Sequence, residues 1–169
     1  MTTQTQSGQS LTVGIAQMQP ILADLQANLD KLATFVDRAV AANVDLLVTP
    51  ELALTGYPVG PWFSSASIEA SSPAFAQLKE LSDRVPMIVG LIEETEEAEF
   101  FNSAVYLDGG RVQHLHRKIY LPNYREFDER KYFMGGWSVS AFETPWCRMG
   151  RLWKIGRRTI PGWLWQRPA

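Results

Sequence analysis

The apolar run Leu11–Met18 (LTVGIAQM) is followed by a segment with the period of a helix, then by a second short apolar run, Asp45–Pro50. That succession constrains the fold more than anything else in the 169 residues. Two strands apolar on both faces, joined through a helix, build a parallel sheet with the helix packed on it. Leu25, Leu29, Leu32, Val36, Ala39 and Val40 fall on one helical face, and Asp24 stands at the N-cap position. Ser72-Pro73 opens a second helix, with a cap and a first-turn proline, that runs to Arg84. PMIVGLIE reads as the next strand, and the acidic stretch Glu93–Glu99 as a solvated loop. NSAVYLD, Gly109-Gly110 and RVQHLHR read as a hairpin with a glycine turn. The expected fold class is α/β, a mixed sheet covered by helices.

Two charged residues stand where such a sheet places chemistry. Glu51 follows directly on the second strand, and carboxyl ends of strands in α/β sheets line the usual binding crevice. The turn LALTGYP beside it can shape a pocket wall, with Tyr57 giving a flat face and a hydroxyl. Lys118 ends the second hairpin strand and precedes the apolar cover IYLPNY, which makes it a candidate for stabilising developing negative charge. Nothing in the residues themselves shows that Glu51 and Lys118 meet. His114 and His116 alternate along a strand, share one face, and read as half-exposed strand residues rather than ligands. No metal or cofactor is expected.

Composition excludes several classes and marks one boundary. No apolar run approaches the ~18 residues of a membrane span. The start, MTTQTQSGQS, lacks the basic and apolar regions of a secretory signal, and residues 1–10 read as a disordered lead-in. A single cysteine, Cys147, excludes an internal disulfide framework, so the expected location is cytoplasmic. The net charge of −2 conceals an asymmetry. From Arg148 onward there are six basic residues and no acid, leaving ten basic against eighteen acidic residues before that point. Residues 147–169 therefore read as a basic tail of different composition, with no helical or strand period, behind a domain over 11–146.

The segments GIAQMQP, DLLVTPELALTGYP, FNSAVYLDGGRV, HRKIYLPNYREFDERKYF and FETPW, in this order, resemble the carbon–nitrogen hydrolase (nitrilase/amidase) superfamily. The resemblance implies an αββα sandwich, here incomplete, that pairs with a second copy through an interface also expected to be incomplete. It implies a Glu-Lys-Cys triad acting on a small amide or, second, a nitrile. Glu51 matches the general base, Lys118 the stabiliser of the tetrahedral intermediate, and Glu129 a further glutamate near the site. Tyr57 and Tyr124 are the candidate substrate-binding residues. A carboxylate base is needed because a thiol is largely protonated at neutral pH.

The third member of the triad is missing. Where the family places its cysteine, this chain has RLWKIGRR. Cys147 lies several residues before that point, and near-attack geometry tolerates only about 1 Å. Trp153-Lys154-Ile155 can be read from the codons of Cys-Glu-Asp with one base lost, so the tail is expected to be a frameshift product and the chain inactive. Two other functions fit parts of the sequence: a non-catalytic dimer partner, and weak binding of an anionic surface or nucleic acid by the basic tail. Both rank below the hydrolase reading, and nucleic acid ranks last among the partners.

Overall fold

The computed structural model describes residues 10–57, 60–124, 127–151 and 163–166. The lead-in, apart from Ser10, and the stretch holding Trp153 lie outside the described residues.

The chain begins with β1 (Val13–Ile15), α1 (Leu25–Ala41) and β2 (Leu46–Val48), and β1 and β2 pair in parallel. Asp24 caps α1 by accepting the Ala27 N–H, and Leu29, Leu32, Val36 and Ala39 form its buried stripe. Val40, expected on that face, is 42% exposed. Its place is taken by Asn28, fully buried, which the apolar pattern passed over. The Asn28 side chain accepts the Ile21 N–H at 2.7 Å and donates to the carbonyls of Ile21 and Leu54 at 2.7 and 2.9 Å. It ties the segment before α1 to the loop after β2. Asn28→Ala should cost about 1–3 kcal/mol in urea unfolding, because it strands buried polar groups. Loss of the exposed Gln26–Asp30 bond in Gln26→Ala should stay within about 0.5 kcal/mol.

The chain continues through β3 (Ile68–Glu69), α2 (Pro73–Ser82), β4 (Met87–Glu94), β5 (Phe100–Asp108) and β6 (Arg111–Arg117). Ser72 caps α2 by accepting the Phe75 N–H, and Pro73 fills the first turn, where its missing N–H costs nothing. Gly109 and Gly110 join β5 to β6 with φ of 55° and 68°, the left-handed pair that a two-residue hairpin requires. The sheet order is β1-β2-β4-β5-β6, with β3 also on β4. Pairings to β4 from β2 and β3 are parallel, and those among β4, β5 and β6 antiparallel, so the sheet is mixed, as expected. Met87, Val89, Leu91, Val105 and Leu107 pack against α1 and α2 on one face.

On the other face, Leu46, Ile88, Ala104 and Tyr106 form a second apolar cluster with Cys147 and Met149. Beyond β7 (Asn123–Tyr124) and β8 (Phe127–Asp128), this face is covered by β9 (Ala141–Glu143) and β10 (Arg148–Arg151), which pairs with β11 (Trp163–Gln166). The tail thus contains two strands. Segments of four residues are too short to register as a period, and β10 is anchored by Met149 under the sheet rather than by its own pattern. Val13 and Ile15 on β1 remain exposed, at 39% and 75%.

Two readings of charged and polar residues change. Glu94, read as loop, belongs to β4, and Glu93, which ends the expected strand, is not solvated. Glu93 is a half-hidden partner of Arg117, taking its Nε at 2.9 Å and the Ser103 hydroxyl at 2.6 Å. The Arg117 guanidinium in turn lies 3.9 Å from the Phe101 ring centroid. Of the two histidines, His116 is buried, at 4% exposure, while His114 is partly covered and stacks on Phe142 at 4.2 Å. The cover is β9, which composition alone did not place over the sheet. Burial lowers the pKa of His114. Among the described residues, no helix is long and apolar enough to cross a membrane.

Candidate active site

Both β2 and β3 pair with the same edge of β4, β2 at its start and β3 at its end. The chain between them has to leave the sheet, and Glu51 sits at the point of departure. Gly90 makes this possible. A Cβ at Gly90 would lie 2.5 Å from the Pro50 carbonyl oxygen, 2.7 Å from the Leu52 nitrogen and 3.0 Å from the Glu51 Cα. The Glu51 backbone therefore rests directly on β4. The Gly90 N–H donates to the Thr49 hydroxyl at 3.2 Å, and Leu52 turns the chain at a φ of 48°. Leu52, Ile92, Leu121 and Phe133 then form an apolar cluster beside the turn.

Lys118 arrives from the other side of the sheet. Its backbone N–H donates to the Asn102 carbonyl at 2.9 Å, and its own carbonyl accepts from Gly136 at 2.8 Å. The ammonium is 4% exposed as a residue and lies between two carboxylates, 2.8 Å from Glu51 Oε1 and 2.9 Å from Glu129 Oε1. Glu129 opens a single 3-10 turn, residues Glu129–Lys131, and is 2% exposed. The Tyr57 hydroxyl donates to the same Glu129 oxygen at 3.0 Å. Glu51, by contrast, keeps about a third of its side chain in solvent. The two carboxylates thus differ in surroundings, one sealed and one open. Burial, helped by the charge of Glu51, raises the pKa of Glu129 against the opposing pull of Lys118 and Tyr57.

Glu51, Lys118, Glu129 and Tyr57 are therefore brought together by residues far apart in the chain. Tyr124 is placed on β7 opposite Phe127, half exposed, on the hairpin that leads into Glu129. Cys147 is elsewhere. It closes a turn in which its N–H donates to the Thr144 hydroxyl at 3.1 Å, and it is buried with Leu46, Ile88, Ala104, Tyr106 and Met149. Tyr106 stands four residues along β5 from Asn102, about 13 Å of strand.

Two residues of the site were not singled out from the sequence. Asn102, fully buried, donates from Nδ2 to Glu51 Oε1 at 2.6 Å. A signal existed in its polarity, within the largely apolar run FFNSAVYL. Gly90 carried one too, since an isolated glycine inside a strand marks close approach of another backbone.

The arrangement offers an accessible carboxylate next to a buried ammonium that a second, sealed carboxylate holds in place. That combination can take a proton from an attacking group and stabilise charge developing on a substrate oxygen or nitrogen.

Comparison with known proteins identifies the family and the fold. The sequence model of the family described as carbon-nitrogen hydrolase matches residues 12–164, past the compositional boundary at Trp146. The glutamine-dependent NAD(+) synthetase of Acinetobacter baylyi is 34% identical over 135 residues, covering 79% of this chain and 25% of that protein. Among solved structures, the glutamine-dependent NAD+ synthetase of Acinetobacter baumannii superposes with a TM-score of 0.73 at 32% identity, over 83% of this chain and 27% of that one. An amidase from Nesterenkonia sp. shares the fold, with a TM-score of 0.74 at 22% identity, over 86% of this chain and 56% of that one. The chain thus spans about a quarter of the synthetases and about half of the amidase, and is similar to the N-terminal part of such proteins. The described sheets and helices form an incomplete nitrilase-like α/β sandwich, and the chain belongs to the carbon–nitrogen hydrolase family.

Proposed function

We propose that this site is built for hydrolysis of a small primary amide, with nitriles as second choice, and that the chain as it stands lacks the nucleophile. One observation carries the reading: Lys118 Nζ lies within 2.9 Å of both Glu51 and Glu129, with Glu51 open to solvent. Glu51 is the general base, Lys118 stabilises the tetrahedral intermediate, and Glu129 with Tyr57 holds the ammonium in position. In a chain with a thiol facing Glu51, sulfur would add to the amide carbon while Glu51 takes its proton. The carbon–nitrogen bond would then break, with that proton leaving on ammonia, and water would cleave the thioester to the acid. The glutamine-dependent relatives support an amide of this kind over a nitrile.

Cys147, buried in a separate cluster, does not serve as the nucleophile. The basic tail is read as a frameshift product, with Trp153 standing where the cysteine was. The test compares this chain with one translated from the restored frame. Ammonia release from glutamine and aliphatic primary amides is expected only from the restored protein. Release by both, abolished by Cys147→Ala, would overturn the assignment of the missing nucleophile. A coding sequence whose alternative frame past Gly150 contains no Cys-Glu-Asp-like run would overturn the frameshift.

A further inference from the structure

Asn102 occupies the centre of β5, on the sheet face opposite the helices, with no exposed surface. A carboxamide there is costly unless it is bonded, and the structure bonds only half of it. Nδ2 donates to Glu51 Oε1 at 2.6 Å, whereas Oδ1 has no hydrogen-bond partner among the described residues. The orientation of the amide follows from its partner, since a carboxylate oxygen accepts and only the nitrogen donates. The Asn102 main chain is engaged at the same place: its carbonyl accepts the Lys118 N–H at 2.9 Å. One residue therefore holds Glu51 through its side chain and Lys118 through its backbone. A leucine would fill the position without an unmade bond, so packing does not explain an asparagine here. Violations of this kind in a core strand belong to functional sites.

We propose that Asn102 is a positioning residue that selects which oxygen of Glu51 acts. Oε1 takes both the Asn102 amide and the Lys118 ammonium. The carboxylate is pinned by that oxygen, and Oε2 is left as the one that receives the proton. Without Asn102 the open side chain of Glu51 pivots on Lys118 alone, and the two oxygens become interchangeable. The inference rests on Glu51 being the base, but its test uses no turnover.

The experiment is solution NMR on the full chain, labelled with carbon-13 and nitrogen-15. A through-hydrogen-bond coupling between Asn102 Nδ2 and the Glu51 carboxyl carbon is expected, and its absence overturns the proposal. In Asn102→Leu the Glu51 side chain should loosen, its order parameter falling below about 0.6. Ser103→Ala, on the opposite face of the same strand, should leave Glu51 unchanged. A Glu51 as rigid in Asn102→Leu as in the parent overturns the proposal. Should that variant not fold, the coupling in the parent chain decides. Loss of amide hydrolysis from the restored-frame protein would sink the proposed function without touching this result. A restored-frame protein that hydrolyses amides with an unpinned Glu51 would do the reverse.

Discussion

Lys118→Met should destabilise the chain by about 3–5 kcal/mol in urea unfolding, because it leaves a buried charge without its partner. The ammonium lies between Glu51 and Glu129, and Glu129 is 2% exposed. Remove the cation and Glu129 keeps only the Tyr57 hydroxyl as a partner for its bonded oxygen, while its other oxygen already lacks one among the described residues. The double variant Lys118→Met/Glu129→Gln should regain much of the loss, since the group that suffered is gone, with a coupling of about 1–3 kcal/mol. The pH dependence has a definite sign. Burial raises the pKa of Glu129 above its ordinary 4.5. A raised acid stabilises the fold fully below its unfolded pKa, and that contribution is lost as pH rises through the folded value. Losing Lys118 removes the principal force opposing the rise. Lys118→Met should therefore lose stability more steeply than the parent between pH 4.5 and neutrality. Glu129→Gln should flatten that slope. A Lys118→Met variant within about 0.5 kcal/mol of the parent at neutral pH would mean that water already solvates the cluster, and the sealed-carboxylate account would fall.

Much of this cluster could be read from the chain, and the rest could not, for identifiable reasons. Glu51 and Lys118 announce themselves locally, each at the end of a strand. Their contact spans 67 residues and depends on sheet order, which periodicity does not encode. Only the order of motifs placed them in one pocket. The caps at Asp24 and Ser72 and the glycine turn at Gly109-Gly110 were legible because each is a local bond or dihedral. The surroundings of Asn28, Glu93 and His114 were not legible, for the opposite reason. Polar residues read as exposed by default, yet each meets something distant: the loop after β2, Arg117, and Phe142 of β9. The boundary at Trp146 followed composition, whereas β10 is held through Met149, whose partners lie some sixty to a hundred residues earlier, at Leu46 and Ile88.

Gly90→Ala is the sharpest probe of how Glu51 is held. The new methyl would stand 2.5 Å from the Pro50 carbonyl oxygen and 2.7 Å from the Leu52 nitrogen. Both are backbone atoms, so no side chain can rotate away. Either β4 or the Pro50–Leu52 segment must shift, and β4 is fixed by β5 along its whole length. The segment that moves is the one carrying Glu51. Overpacking of this kind costs about 1–3 kcal/mol. The effect on the site should be larger than that figure suggests, because displacement by about 1 Å breaks contact with both Asn102 and Lys118. In the restored-frame protein, kcat for amide hydrolysis should fall by on the order of 10²-fold. In the chain as it stands, the Asn102–Glu51 coupling should disappear. Gly109→Ala supplies the contrast. Nothing lies within 4 Å of its would-be Cβ, and only its φ of 55° resists the change. It should cost about 1 kcal/mol and leave the coupling and the turnover intact. Should Gly90→Ala lose no more than Gly109→Ala while keeping the Asn102–Glu51 coupling, the seat of Glu51 would have to lie in the Leu52–Gly56 turn rather than on β4.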